Sequence, residues 1–221
     1  MSAAALASIL EFIPKAKRSI RLRGERVSFS PDQLKAFLRT AQEFGPREFA
    51  MFVFAFSHGA RVSEISDLRL SDLRLESGQV QIRRLKGSVG TLQSLVKING
   101  FDERDALEAW LKVRPNVDGD VVFTSRKGSQ SRKDAVPHMM NRSQIFRTFR
   151  AICEKAGIEK RFAHVHTIKH SLGQILYDSG VDLSTIQARL GHKNINSTAQ
   201  YARPTQDQAH AKVQDALSKI F

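Results

Sequence analysis

Between Pro46 and Gly59 the chain is apolar almost all the way round a helix, with Phe49, Met51, Phe52, Val53, Phe54 and Phe56 in close succession. A helix without a polar stripe has to be surrounded by other elements, so any fold for this chain is built around residues 46 to 58. Gly59 marks the end of that helix, because a glycine just past the last turn takes the left-handed conformation that closes it. At this spacing the phenylalanines read as core and not as a stacking platform. The 221 residues suffice for one large domain or two small ones around such a core, and a hydrophobic content of 41% is ordinary for a globular chain.

The neighbouring segments supply the surrounding layers. Ser30 is an N-cap with Pro31 in the first helical position, and Leu34, Phe37 and Leu38 follow at helical spacing. Another helix is expected from about Ser63 to about Asp72, carrying Leu68 and Leu70. The texture then changes. Residues 78–83 alternate like a strand, residues 86–90 form a turn, and Leu92 to Ile98 reads as a second strand, giving a small antiparallel sheet inserted between helices. Residues 103–113 are helical again, Val121–Phe123 is expected as a short buried strand, and residues 125–131 are a polar, basic loop. Helices are expected at 141–156, 166–179, 182–190, 194–201 and 205–220. The expected fold class is mainly α with a small antiparallel β-sheet (α+β), without an internal repeat or a clear interdomain linker.

Charge narrows the partner. Lys and Arg number 35 against 22 Asp and Glu, a formal net charge of +13. Such a surplus points to a polyanion, most commonly nucleic acid, with a basic but unspecialised surface as the plain alternative. An anionic membrane ranks lower, because the positive charge is not confined to one amphipathic helix. Residues 15–26 are dense in base (Lys15, Lys17, Arg18, Arg21, Arg23, Arg26), which fits either a DNA-contacting arm or a solvated linker. Cys153 is the single cysteine, so no internal disulfide or cysteine metal site is expected. It reads as a buried thiol in a reducing cytoplasm. The apolar stretch at residues 3–10 has no preceding positive charge, the wrong order for a signal peptide. No run approaches the roughly 18 apolar residues of a membrane span.

The residues that carry chemistry lie far apart. The last third contains His166-Thr167-Ile168-Lys169-His170, then Leu190-Gly191-His192, then Tyr201; upstream stand Gly59-Ala60-Arg61-Val62-Ser63-Glu64, and Lys86 at the tip of the expected hairpin. An isolated Arg-x-Ser-Glu is a weak signal, whereas His-x-x-Lys-His, Leu-Gly-His and Tyr in this order are much stronger. Together with residues 177–187, these motifs resemble the catalytic domain of the tyrosine recombinase (phage integrase) family, over about Val27 to Tyr201. Independently, breaking a DNA strand with a tyrosine needs a nucleophile, positive donors around the non-bridging phosphate oxygens, an acid for the leaving 5′-oxygen and a base near the phenol. These residue types can supply all four. The link energy is kept in the covalent intermediate and no phosphate-cradling glycine loop is present, so neither a cofactor nor a metal is expected.

The resemblance implies the following roles. Tyr201 attacks the scissile phosphate. Arg61 grips its oxygens with a bidentate fork. Lys86 protonates the leaving group, His166 acts as base or orients the phosphate, and His192 donates to a phosphate oxygen. His170 supports the site from behind and Glu64 is a second supporting residue, while Arg83, Arg84, Lys127, Arg132 and Lys133 contact DNA. One position departs from the family pattern: Lys169 stands where an arginine is usual. Lysine keeps the charge but gives up the planar grip, and losing one good oxyanion contact costs about 2.7–4 kcal/mol of transition-state stabilisation.

The expected organisation is a basic extension over residues 1–26, the catalytic domain over 27–204, and a C-terminal helix over 205–221. The apolar face of that helix (Ala209, Val213, Ala216, Leu217, Ile220) either docks on a neighbouring protomer or folds back on its own core, the exchange being favoured. The family's usual N-terminal clamp domain is not expected in this chain, which leaves a minimal recombinase of the promoter-inverting kind, a piece of a longer protein, or a chain reliant on an accessory protein. Strand exchange between two duplexes implies double-stranded DNA as partner, a homotetramer on it, no membrane, and a cytoplasmic, nucleoid-associated location. Competing readings are a catalytically silent DNA-binding regulator on the same fold and a type IB topoisomerase acting as a monomer.

Overall fold

The computed structural model describes residues 28–84, 90–98, 100–116, 119–125, 139–202, 210, 213–215 and 217–218. Val27–Pro204 is one compact unit. It begins with α1 (Pro31–Phe44), capped as expected: the Ser30 side chain accepts from the Gln33 amide, and the Gln33 side chain accepts from the Ser30 amide in return. The apolar segment forms α2 (Pro46–His58), and every residue from Ala50 to His58 is buried. It packs against α1, α4 (Glu103–Val113) and α6 (His166–Asp178), which satisfies its lack of a polar face. Phe52 meets Phe37 of α1 at 5.2 Å and Phe149 of α5 (Arg142–Lys155) at 5.7 Å between ring centroids. Phe37 and Phe149 meet at 4.9 Å, closing a tilted and edge-on aromatic triangle in the core. Cys153 is buried in α5, and burial pushes its thiol up to about 12.

The sheet is smaller and more broken than the sequence suggested. β1 (Leu73–Arg74), β2 (Gln79–Ile82) and β3 (Thr91–Ser94) form an antiparallel ladder in that order, with Leu73 opposite Val80 and Ile82 opposite Thr91. The expected single strand over Leu92 to Ile98 breaks after Ser94, because the Val96 amide donates to the buried Glu103 carboxylate (2.9 Å) and leaves the ladder. The chain then forms a separate hairpin, β4 (Lys97–Ile98) with β5 (Phe101–Asp102). α3 (Val62–Ser66) is also shorter than expected, and only a 3-10 turn, Leu70–Asp72, follows. Here Leu68 accepts from the Val122 amide and Leu70 donates to Asp120, so tertiary pairing takes the bonds that a longer helix would need. Val121–Phe123 is accordingly not a strand. It makes an isolated bridge to Arg69 and is pinned by the Trp110 indole on the Val122 carbonyl (2.9 Å).

After α6 come α7 (Leu183–Leu190), the short α8 (Asn196–Ala199) and a final 3-10 turn, Gln200–Ala202. In the C-terminal unit, residues 210, 213–215 and 217–218 are helical, and Val213 and Leu217 are exposed. Among the described residues no helix is long and apolar enough to cross a membrane. Because Phe149 closes the aromatic triangle, Phe149→Ala is expected to lower the unfolding free energy by about 3–5 kcal/mol, read from urea denaturation.

Candidate active site

Two helix ends and one helix face build the site. α2 closes on Gly59 in the left-handed region (φ 55°), where a Cβ would stand 2.4 Å from the Leu190 side chain. The reversal throws Arg61 out of α2 and makes it the N-cap residue of α3. There Glu64 holds it twice: the Arg61 amide donates to one carboxylate oxygen (2.9 Å) and its guanidinium to the other (2.8 Å). The Arg61 side chain keeps 29% exposure, while that of Glu64 has none. Burial by itself would raise the Glu64 carboxyl, but the Arg61 amide and the Arg84 and Arg61 guanidiniums outweigh it and hold it below the ordinary range.

On α6, His166, Lys169, His170 and Gly173 recur at three- and four-residue spacing and so share one face. Lys169 is buried, and its ammonium donates to the Leu190 carbonyl (2.5 Å), one of the unpaired carbonyls at the end of α7. α7 ends on Gly191 (φ 61°), which aims His192 back toward α6. His192 Nδ1 lies 2.9 Å from the Thr198 hydroxyl. The Tyr201 ring lies nearly parallel to the His192 ring at 6.4 Å, and its hydroxyl is 3.4 Å from His170 Nδ1. Gly173 makes room for it: a Cβ there would fall 2.3 Å from Tyr201 Cζ.

The charges in this cluster oppose one another. Burial, then Arg61 and Arg84, push Lys169 down to about 7, with only Glu64 acting the other way. Lysine in place of arginine therefore does more than lose a planar grip: near neutral pH it is only partly charged. Burial, then Lys169, Arg61, His170 and Arg84, push His192 down to about 4, so it is neutral there and can donate one N–H. His166 and His170 are also lowered, burial being the largest cause in each, which leaves both able to accept a proton. Burial pushes the Tyr201 phenol up to about 12, so it ionises only with a base at hand. Positive donors, neutral imidazoles and a protonated phenol converge around a place that suits an anion.

The expected residues divide by place. The structure brings together Arg61, Glu64, Lys169, His170, His192 and Tyr201, and His166 opens α6 at the exposed edge of the group. His170, expected behind the site, is the histidine in reach of the Tyr201 hydroxyl. Arg83 is exposed and pairs with Asp72 at 2.9 Å. The expectation that Arg84 contacts DNA is corrected: its side chain has no exposure and is spent on Glu64 and on backbone carbonyls. Lys86, Lys127, Arg132 and Lys133 lie outside the described residues. The seat role of Gly173 and the partner role of Thr198 were missed. A glycine inside a helical pattern was the available signal for the first.

A helical catalytic-domain fold of the tyrosine recombinase kind is thereby defined, and comparison with known proteins bears it out. The phage integrase family matches residues 28–208, and the chain belongs to it. It is similar to the type 1 fimbriae regulatory protein FimE of Escherichia coli K12, 37% identical over 161 residues, which cover 71% of this chain and 74% of that protein. The tyrosine recombinase XerD of Listeria innocua serovar 6a is 28% identical over 172 residues, covering 75% of this chain and 53% of that protein. Among solved structures, the XerH site-specific recombinase bound to its difH substrate superposes with a TM-score of 0.68 at 20% identity, over 95% of this chain and 63% of that one. The chain thus spans about three quarters of FimE and about half of XerD.

Gly173→Ala tests the seat of the tyrosine. The added methyl displaces the Tyr201 ring from α6, so phenolate absorbance in a Tyr177→Phe background should titrate well below the native midpoint of about 12. An unchanged midpoint would show that the ring does not depend on Gly173.

Proposed function

We propose that this chain is a site-specific DNA recombinase that cuts and rejoins duplex DNA through a covalent 3′-phosphotyrosine at Tyr201. One observation carries the reading: the Tyr201 hydroxyl lies beside His170 and its ring along His192, in a cluster where Arg61, Arg84 and Lys169 share the buried carboxylate of Glu64 as the counter-charge among the described residues. An incoming phosphodiester supplies the anion that this arrangement lacks. In the step, the Tyr201 oxygen bonds to phosphorus and the bond from phosphorus to the 5′-oxygen breaks. The phenol proton passes to a lowered histidine, His170 or His166, and the leaving oxygen takes a proton from Lys86 in the role the family resemblance gives it. Arg61, Lys169 and His192 hold the non-bridging oxygens. Rejoining reverses the step with a different 5′-hydroxyl, so no external energy source enters.

Double-stranded DNA is the partner and the cytoplasm the place of action, bound at the nucleoid. Exchange between two duplexes calls for a homotetramer, with the 205–221 helix as its coupling segment, residues 27–204 as the catalytic domain, and residues 1–26 with Lys127, Arg132 and Lys133 as further DNA contacts. Among the similar proteins, the tyrosine recombinase XerD and the XerH site-specific recombinase bound to its difH substrate support this reading.

A nicked suicide substrate carrying a candidate site should give an SDS-resistant protein–DNA band that Tyr201→Phe abolishes. DNA binding on a verified cognate site without any band would support the silent-regulator reading, and restoration by Lys169→Arg or by an added accessory protein would locate the deficit.

The charge on Lys169 makes a separate prediction. It is present below about 7 and is lost as pH rises through that value. With protein and DNA well below their dissociation constant, where the rate reports the groups of the free protein, cleavage should therefore slow between about pH 6 and pH 8 with a limb that Lys169→Arg removes, since a guanidinium stays charged throughout. Single-turnover adduct formation across that range checks it, and a limb that persists in Lys169→Arg would assign the titration to another group.

A further inference from the structure

Arg84 belongs to neither set of expected residues once its burial is known, yet it touches Glu64 and the ends of two helices that carry the site. Its Nη1 donates to Glu64 Oε2 (2.9 Å), the carboxylate that holds Arg61. Its Nη2 donates to the His58 carbonyl at the end of α2 (3.2 Å) and to the Arg189 carbonyl near the end of α7 (2.7 Å). Gln93 of β3 donates to that same Arg189 carbonyl (3.0 Å), and the Arg189 side chain returns a bond to Ser57 of α2 (2.9 Å). Gly191 is shaped to this contact, because a Cβ there would lie 2.5 Å from Arg84 Nε and 2.8 Å from its Cδ. The Arg84 side chain therefore lies flat against the turn that carries His192.

We infer that Arg84 is a positioning residue of the recombination site: one buried guanidinium joins the Arg61–Glu64 pair, the end of α2 and the His192 turn into a single rigid unit. The inference rests on the recombinase reading for its effect on cleavage. Only arginine has the planar fork that can serve a carboxylate and two carbonyls at once. The fixed positive charge has a second effect. Lys169 faces Arg61, Arg84 and Glu64, with His166, His170 and His192 close enough to feel its charge. Arg61 and Arg84 lower it and Glu64 raises it, so removing Arg84 moves the Lys169 titration upward.

The test uses the full chain with Arg84→Met and Arg84→Lys, followed by two readouts. The first is the Lys169 midpoint from carbon-13 NMR of the lysine ε-carbons, assigned by the loss of one signal in Lys169→Arg. It should rise in Arg84→Met and stay near the native value in Arg84→Lys. The second is single-turnover adduct formation alongside DNA affinity at several salt concentrations. Arg84→Met should slow adduct formation about 100-fold, the usual order for a displaced reacting group, and leave affinity and its salt slope unchanged; Arg84→Lys should recover part of the rate. A native midpoint and a native rate in Arg84→Met would overturn the inference. So would a loss of affinity with a salt slope shallower by about 1, the mark of a lost phosphate contact. If Arg84→Met does not fold, Arg84→Lys decides, and a fully native rate there overturns the inference. If the wild-type chain forms no adduct, the recombinase reading fails, while the NMR midpoints still decide whether Arg84 controls Lys169.

Discussion

The site depends on a buried carboxylate shared between two arginines. Glu64 has no exposure, and each of its oxygens meets a guanidinium, Arg61 on one and Arg84 on the other, at 2.8 and 2.9 Å. Taking three charges out of water is costly, and such a group persists only when its remaining hydrogen bonds are filled. Here all but one are: the Arg61 amide completes the Glu64 shell and two backbone carbonyls take Arg84 Nη2, while Arg84 Nε is buried without a hydrogen-bond partner among the described residues. Losing Glu64 would leave the buried Arg84 charge uncompensated, at a typical cost of about 3–5 kcal/mol. The arrangement is therefore rigid, and what it orients is Arg61, the one member that still reaches solvent.

The rest of the site is arranged so that positive groups crowd one another in the absence of an anion. Lys169 near 7 and His192 near 4 are the result of burial combined with mutual repulsion. A phosphodiester entering the cluster reverses the sign of that interaction and favours the charged form of Lys169. The free protein thus meets neutral pH with a partly discharged lysine bound to the Leu190 carbonyl and a protonated, buried phenol. DNA binding and charging of the site are therefore linked through the same groups.

Much of the frame was legible along the chain. The helix ends at Ser30 and Gly59 are local chemistry, since a side-chain cap and a left-handed glycine need no distant partner. The all-round apolar α2 announced its own burial. Arg61, Lys169, His192 and Tyr201 stood out because their order resembles the family's motifs, and the fold brings them together. Where the reading failed, a distant group had taken over a local bond. Val96 pairs with Glu103 and not with the β-ladder, and the backbone after α3 pairs with residues 120–122 and not with itself.

By itself, then, the sequence determined the helical class, the central helix and its ends, the inventory of reactive side chains and the family to which they belong. Tertiary structure alone decided what each charge does. Arg83 and Arg84 are neighbours of identical chemistry, yet one faces solvent beside Asp72 and the other is sealed against Glu64 and Gly191. Likewise His170 rather than His166 meets the Tyr201 hydroxyl, and Gly173 exists to admit its ring. The physical reason is range: caps and periodicity act within a few residues, whereas burial, ion pairing and the shift of a titrating group depend on contacts that only the closed fold creates.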